Sequence, residues 1–86
     1  MMIYKISFLG CESFFVGYTG KSLNAAVNDI LFKSYYLEKN NLENKYDKLY
    51  KFIKSVGTDK IILEKLADGK RTDYNQFLKR LNPPLN

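Results

Sequence analysis

A small α+β domain is the fold class this sequence predicts: a three-stranded antiparallel sheet flanked by three helices, in the order β-β-α-α-β-α. Three observations carry it. Two runs rich in β-branched and aromatic residues stand on either side of a short turn, Gly10 to Ser13. Three stretches space their apolar residues at helical intervals. A third strand-like run, Ile61 to Leu66, lies between the second and third of those stretches. The 86 residues make one domain, 1-86, whose core is modest relative to its surface. Apolar residues are 45% of the chain, enough to offset chain ordering without a staple.

The first strand is expected over Ile3 to Leu9 and the second over Phe14 to Tyr18, forming a hairpin. In the first, Tyr4, Ile6 and Phe8 share one face while Ile3, Lys5, Ser7 and Leu9 share the other, so one side should meet the core. Ser22 is the expected N-cap of the first helix, whose Leu23, Ala26, Val27, Ile30 and Leu31 recur at helical spacing. Its end is blurred between Tyr35 and Lys39, before the polar connection Asn40 to Asn44. Tyr46, Leu49, Ile53 and Val56 define a second helix, with Gly57 placed to end it in a left-handed conformation. The third strand closes at the turn Ala67-Asp68-Gly69-Lys70. Thr72 is the expected cap of the last helix, whose stripe is Tyr74, Phe77, Leu78 and Leu81, and Pro83-Pro84 stops its continuation.

Composition narrows the chemistry. The chain has no His and a single Cys, Cys11, which excludes an internal disulfide and leaves little basis for zinc or histidine-base catalysis. No stretch approaches a membrane span and no leader pattern precedes the first strand, so a cytoplasmic protein, in the host cell if it is viral, is expected. Fourteen Lys+Arg against nine Asp+Glu give a formal charge of +5, which favours polyanions. All the cations but Arg71 and Arg80 are Lys, so coding bias and solubility explain the charge as readily as a ligand does. Lys45, Lys48, Lys51 and Lys54 recur every third residue along the second helix and either track a nucleic-acid backbone or form a solvated face. Lys70, Arg71, Lys79 and Arg80 are similarly ambiguous.

The strings Met2-Ile3-Tyr4 and Phe15-Val16-Gly17, the turn Gly17-Tyr18-Thr19 and the helix start Ser22-Leu23-Asn24 resemble the GIY-YIG nuclease domain family. So do Lys48 to Ile53 through Val56-Gly57, the strand Ile61 to Leu66 and the tail Leu81 to Asn86. The resemblance spans nearly the whole chain. It implies metal-assisted phosphodiester hydrolysis, in which a tyrosine helps activate water, an arginine steadies the phosphate and a glutamate holds a divalent ion. Developing negative charge needs the cation, and a hard ion such as Mg²⁺ needs a fixed carboxylate. Tyr4 and Asn86 match the family. Ala26 stands at the arginine position, Tyr74 at the glutamate position, and Phe15 replaces the first tyrosine of the second signature. The chain is thus expected to be a catalytically degenerate member with no cofactor.

Three functional readings follow. In the first, the remnant groove binds nucleic acid or a small nucleotide through Tyr4, Gly17, Tyr18, Thr19, Lys21 and Asn86, with Lys48 and Lys51 as further candidates. In the second, an active endonuclease with a rearranged site uses Tyr4 on the water and Asp73 or Glu64 on Mg²⁺ or Mn²⁺. In the third, a protein-interaction module of viral or mobile-element origin presents an aromatic patch around Tyr35, Tyr36 and Tyr50. Packing accounts for Tyr4, and solvent exposure for Tyr18, as the alternative to ligand contact. A homodimer, which would double a basic groove, is one arrangement left open.

Overall fold

Turn chemistry sets the hairpin one residue away from its expected bounds. In the computed structural model, which describes residues 1–86, β1 is Met2–Phe8 and β2 is Phe15–Thr19. Gly10 takes a φ of 78° and the Cys11 amide donates back to the Phe8 carbonyl at 3.0 Å. That closes the turn early and puts Leu9 and Phe14 in the connection.

Helix α1 is Leu23–Lys39. Ser22 caps it as expected, its Oγ accepting from the Ala25 amide at 3.3 Å. The stretch from Tyr35 to Lys39 is helical throughout, ending at Asn40, whose Nδ2 donates to the Tyr36 carbonyl at 2.8 Å. Helix α2 is Asp47–Val56 and stops at Gly57. The φ of Gly57 is positive at 96°, but its ψ of 149° is extended, so the cap is not the left-handed helical one expected. The chain passes instead into a single 3₁₀ turn, Thr58–Lys60, and then into β3, Ile61–Asp68. β3 therefore absorbs the first half of the expected turn. Helix α3 is Arg71–Leu81, and its cap is Lys70 rather than Thr72. Asp73 decides this, because its carboxylate accepts from the Lys70 amide at 2.9 Å and lies favourably at the helix N-terminus.

The sheet order is β2-β1-β3, antiparallel throughout. Tyr4, Ile6 and Phe8 face α1 and α2, packing with Ala26, Val27, Ile30, Leu49 and Ile53. The expectation that one face of β1 meets the core holds, but the other face is not left to solvent. Ile3 and Val16, which alternate with the core residues, are fully buried, and α3 packs against β2 on their side. β1 reads as two-sided because it is the central strand. α3 covers only part of that second face, since Ile62 and Glu64 of β3 remain exposed. At the far end Tyr4 pairs with Lys65 and Ile3 with Ala67, leaving Leu66 as the extra residue of a bulge.

The free edge of β2 is closed by the tail. The Leu85 amide donates to the Phe14 carbonyl at 3.1 Å, and the Asn86 amide group brackets Val16. Asn86 Oδ1 accepts from Val16 N at 2.9 Å, and Asn86 Nδ2 donates to Val16 O at 2.8 Å. A side chain thus imitates the strand that would otherwise pair there. No helix is long and apolar enough to cross a membrane.

Candidate functional site

Tyr4 is the centre of the site, and Gly17 is what lets it stand there. The two are directly opposed across the hairpin, and the phenol ring lies over the glycine. A Cβ at position 17 would fall within 2.6 Å of Tyr4 Cε1, and nearer still to Cζ and the hydroxyl. Only 3% of Tyr4 is exposed. Its hydroxyl has no hydrogen-bond partner in the chain, whereas those of Tyr18 and Tyr74 donate to Gly69 O at 3.3 Å and Val16 O at 3.2 Å.

Burial pushes the Tyr4 phenol well above its ordinary pKa, and Tyr46 and Tyr74 beside it add to the shift. Burial also raises Tyr74, with Tyr46 contributing and Arg71 opposing. Tyr4 therefore stays neutral and able to donate. An unfolded chain ionises Tyr4 near the ordinary tyrosine value of 10.0, while the folded chain resists. Stability is intact below pH 10 and falls as pH rises above it, by up to about 1.4 kcal/mol per pH unit for one proton. In urea titrations between pH 9 and pH 12, Tyr4→Phe should show a shallower decline than the parent.

Two adjoining hollows meet at this residue, sharing Tyr4, Tyr18 and Tyr46 as walls. One, of about 390 Å³, is bounded by Thr19 and Lys21 at the end of the hairpin and by Ala26, Asp29 and Lys33 on α1. Lys21 is paired with Asp29 there, and that contact holds the Asp29 carboxyl below its usual range. The other, of about 230 Å³, is bounded by Gly17, Lys45, Arg71, Tyr74 and Asn86. Tyr18 and Tyr74 are stacked in its wall, with ring centroids 5.4 Å apart and planes inclined by 14°. Lys45 lies over Tyr46 and Arg71 over Tyr18, at 5.0 and 5.9 Å from the ring centroids.

Of the residues singled out from sequence, Tyr4, Gly17, Tyr18, Thr19, Lys21 and Asn86 line this groove. Lys48 and Lys51 do not. Lys51 is bound to Asp47 at 2.9 Å in a separate hollow of about 560 Å³ beneath the α1–α2 connection. That hollow is the larger one, but Glu38, Glu43 and Asp47 line it, so it offers an anion little. Lys54 is spent on Glu38 at 2.8 Å.

Tyr46, Lys45 and Arg71 belong to the groove without having been picked out for it. Tyr46 has the spacing of a core residue, Lys45 is one of four evenly spaced lysines, and Arg71 is one of a basic cluster. Which member of each set turns inward depends on how the helices dock.

Ala26, at the position where the resemblance expects arginine, is packed in the core and forms part of the α1 wall. Phe15 is buried, edge-on to Tyr46 at 6.0 Å. Tyr74 fills the expected glutamate position with a ring and a hydroxyl already engaged. The Arg71 half of the groove does not fit a hard divalent ion, which requires at least one carboxylate, and the one carboxylate of the adjoining half, Asp29, is paired with Lys21. No Asp or Glu side chain lines the Arg71 half of the groove. Asp73 is occupied in capping α3, and Glu64 projects from the opposite face of the sheet, across from Lys5. No three metal-ligating side chains cluster anywhere in the chain.

The aromatic patch expected at Tyr35, Tyr36 and Tyr50 is corrected. Tyr50 is buried at 8% exposure, whereas Tyr35 and Tyr36 are open and are joined by Phe32, which is 79% exposed. Tyr50 faces inward from α2 beneath Lys54, which lies 5.2 Å from its ring centroid.

Comparison with protein-family models, with curated proteins and with solved structures finds no match for this chain.

Proposed function

We propose that this chain is a GIY-YIG-like module that no longer hydrolyses phosphodiesters and binds nucleic acid, or a nucleotide, through the groove around Tyr4. The observation that carries this reading is the lining of the Arg71 half. Four tyrosines and two cations surround it without an acidic side chain. Aromatic rings offer stacking surfaces to bases, and Lys45 and Arg71 offer charge to phosphates. The same lining argues against hydrolysis, because the chemistry implied by the resemblance needs a carboxylate for its metal and an arginine where Ala26 stands.

The test is to incubate the protein with end-labelled single- and double-stranded DNA and RNA, with Mg²⁺ or Mn²⁺ and without, and to read cleavage and mobility shift from the same samples. Salt-sensitive shifts with intact strands are expected. Metal-dependent cuts abolished by Tyr4→Phe would overturn the reading in favour of a nuclease with a rearranged site.

A second reading rests on the solvent face of α1. Phe32, Tyr35 and Tyr36 fall at i, i+3 and i+4 on the side opposite Val27 and Ile30, so this helix carries an exposed aromatic strip on its solvent side among polar residues. Such an exposed aromatic strip favours a protein-interaction role, and sedimentation across a range of concentrations tells whether a second copy covers it.

A further inference from the structure

The two cations of the small hollow are unspent. Lys21, in the adjoining hollow, is paired with Asp29, whereas Lys45 and Arg71, like most cations of the chain, form no ion pair, and these two rest on tyrosine rings. They converge on one cavity of about 230 Å³ with no acidic side chain in its wall. The same cavity is lined by Tyr4, whose hydroxyl makes no hydrogen bond within the chain and is open to the hollow rather than sealed in the core.

We infer that this half of the groove is a receptor for a phosphomonoester, the terminal phosphate of a nucleic-acid strand or of a free mononucleotide, held by Lys45, Arg71 and the Tyr4 hydroxyl. The inference rests on the nucleotide-binding reading above and narrows it. Charge arithmetic selects the monoester. An internal phosphodiester carries a single negative charge and leaves one of the two cations uncompensated, whereas a terminal phosphate carries about −1.5 to −2 at neutral pH and three acceptor oxygens. Two cationic donors and one neutral hydroxyl donor match those three oxygens. Size agrees, since the cavity admits a phosphate and part of its nucleoside but no duplex. The adjoining Tyr18–Tyr74 stack provides a flat apolar wall for the attached ring.

The experiment compares 3′-labelled single-stranded oligonucleotides of one sequence, 5′-phosphorylated and 5′-hydroxyl, by fluorescence anisotropy at a fixed, stated salt concentration without divalent metal. A nucleoside monophosphate, its nucleoside and inorganic phosphate serve as competitors. The phosphorylated strand should bind at least tenfold more tightly, and Arg71→Ala should abolish that difference. Arg71 is exposed, so the variant should keep the far-ultraviolet dichroism of the parent. Competition by the monophosphate but not by the nucleoside supports the inference and identifies the free mononucleotide as a ligand. A preference confined to the phosphorylated strand supports it and identifies the strand end. Equal affinity for the two strands overturns the inference while leaving the nucleotide-binding reading in place. Absence of binding by every probe overturns both.

Discussion

Gly17→Val is expected to destabilise the domain by about 3 kcal/mol, the upper part of the range for overpacking a filled site. Two effects oppose each other at this position. Valine favours strands over glycine by up to about 1 kcal/mol, so propensity alone would make the variant more stable. Its Cβ, however, would have to occupy the space of the Tyr4 ring, and Tyr4 is locked between Phe15 and the α1 residues. Sterics win because neither backbone can move without breaking the central pairing of β1 and β2. The urea midpoint of Gly17→Val should therefore fall sharply, and the same change in a Tyr4→Val background should cost little or nothing. A single variant as stable as the parent would mean that the ring does not lie over the glycine.

The second large effect concerns binding. Removing both cations of the small hollow, as Lys45→Ala with Arg71→Ala, should weaken single-stranded nucleic-acid binding about a hundredfold at moderate salt. Each charge-assisted contact contributes about 1.5 kcal/mol or more, and each 1.4 kcal/mol is a factor of ten. The logarithmic salt slope should also become shallower by about 1.4, since each phosphate contact on a single strand releases about 0.7 counterion. Lys48→Ala with Lys51→Ala is the control. Those lysines lie on α2 away from the groove, with Lys51 already compensated by Asp47, and their loss should change affinity less than threefold. A control as damaging as the groove variant would shift the binding surface to α2.

Most of the architecture was legible because local signals agreed with one another. Ser22 and the stripe through Val27 and Ile30 marked α1, Gly57 ended α2, and alternation set the core face of β1. What was not legible depended on long-range packing. The burial of Ile3 and Val16 requires α3 to return across β2, and nothing in the first strand announces it. The capping of α3 by Lys70 and Asp73 overrode Thr72 because the carboxylate three residues into the helix is the stronger acceptor. Within the groove, Tyr4, Gly17 and Tyr18 were found through the hairpin strings, where sequence neighbours are also spatial neighbours. Lys45, Tyr46 and Arg71 come from separate elements, and their convergence is a property of docking. The lysine periodicity of α2 identifies a surface without saying what that surface faces, and Lys48 and Lys51 lie outside the groove for the same reason.

The central claim, that this groove holds its ligand with the protein's own cations rather than through a metal, is tested most directly by measuring the dissociation constant for a single-stranded oligonucleotide in EDTA and in Mg²⁺ at matched ionic strength. The account predicts full affinity in EDTA, with Mg²⁺ leaving it unchanged or slightly weaker through competition for phosphate. Binding that appears only with Mg²⁺ would contradict it and would require a carboxylate-held ion in the groove.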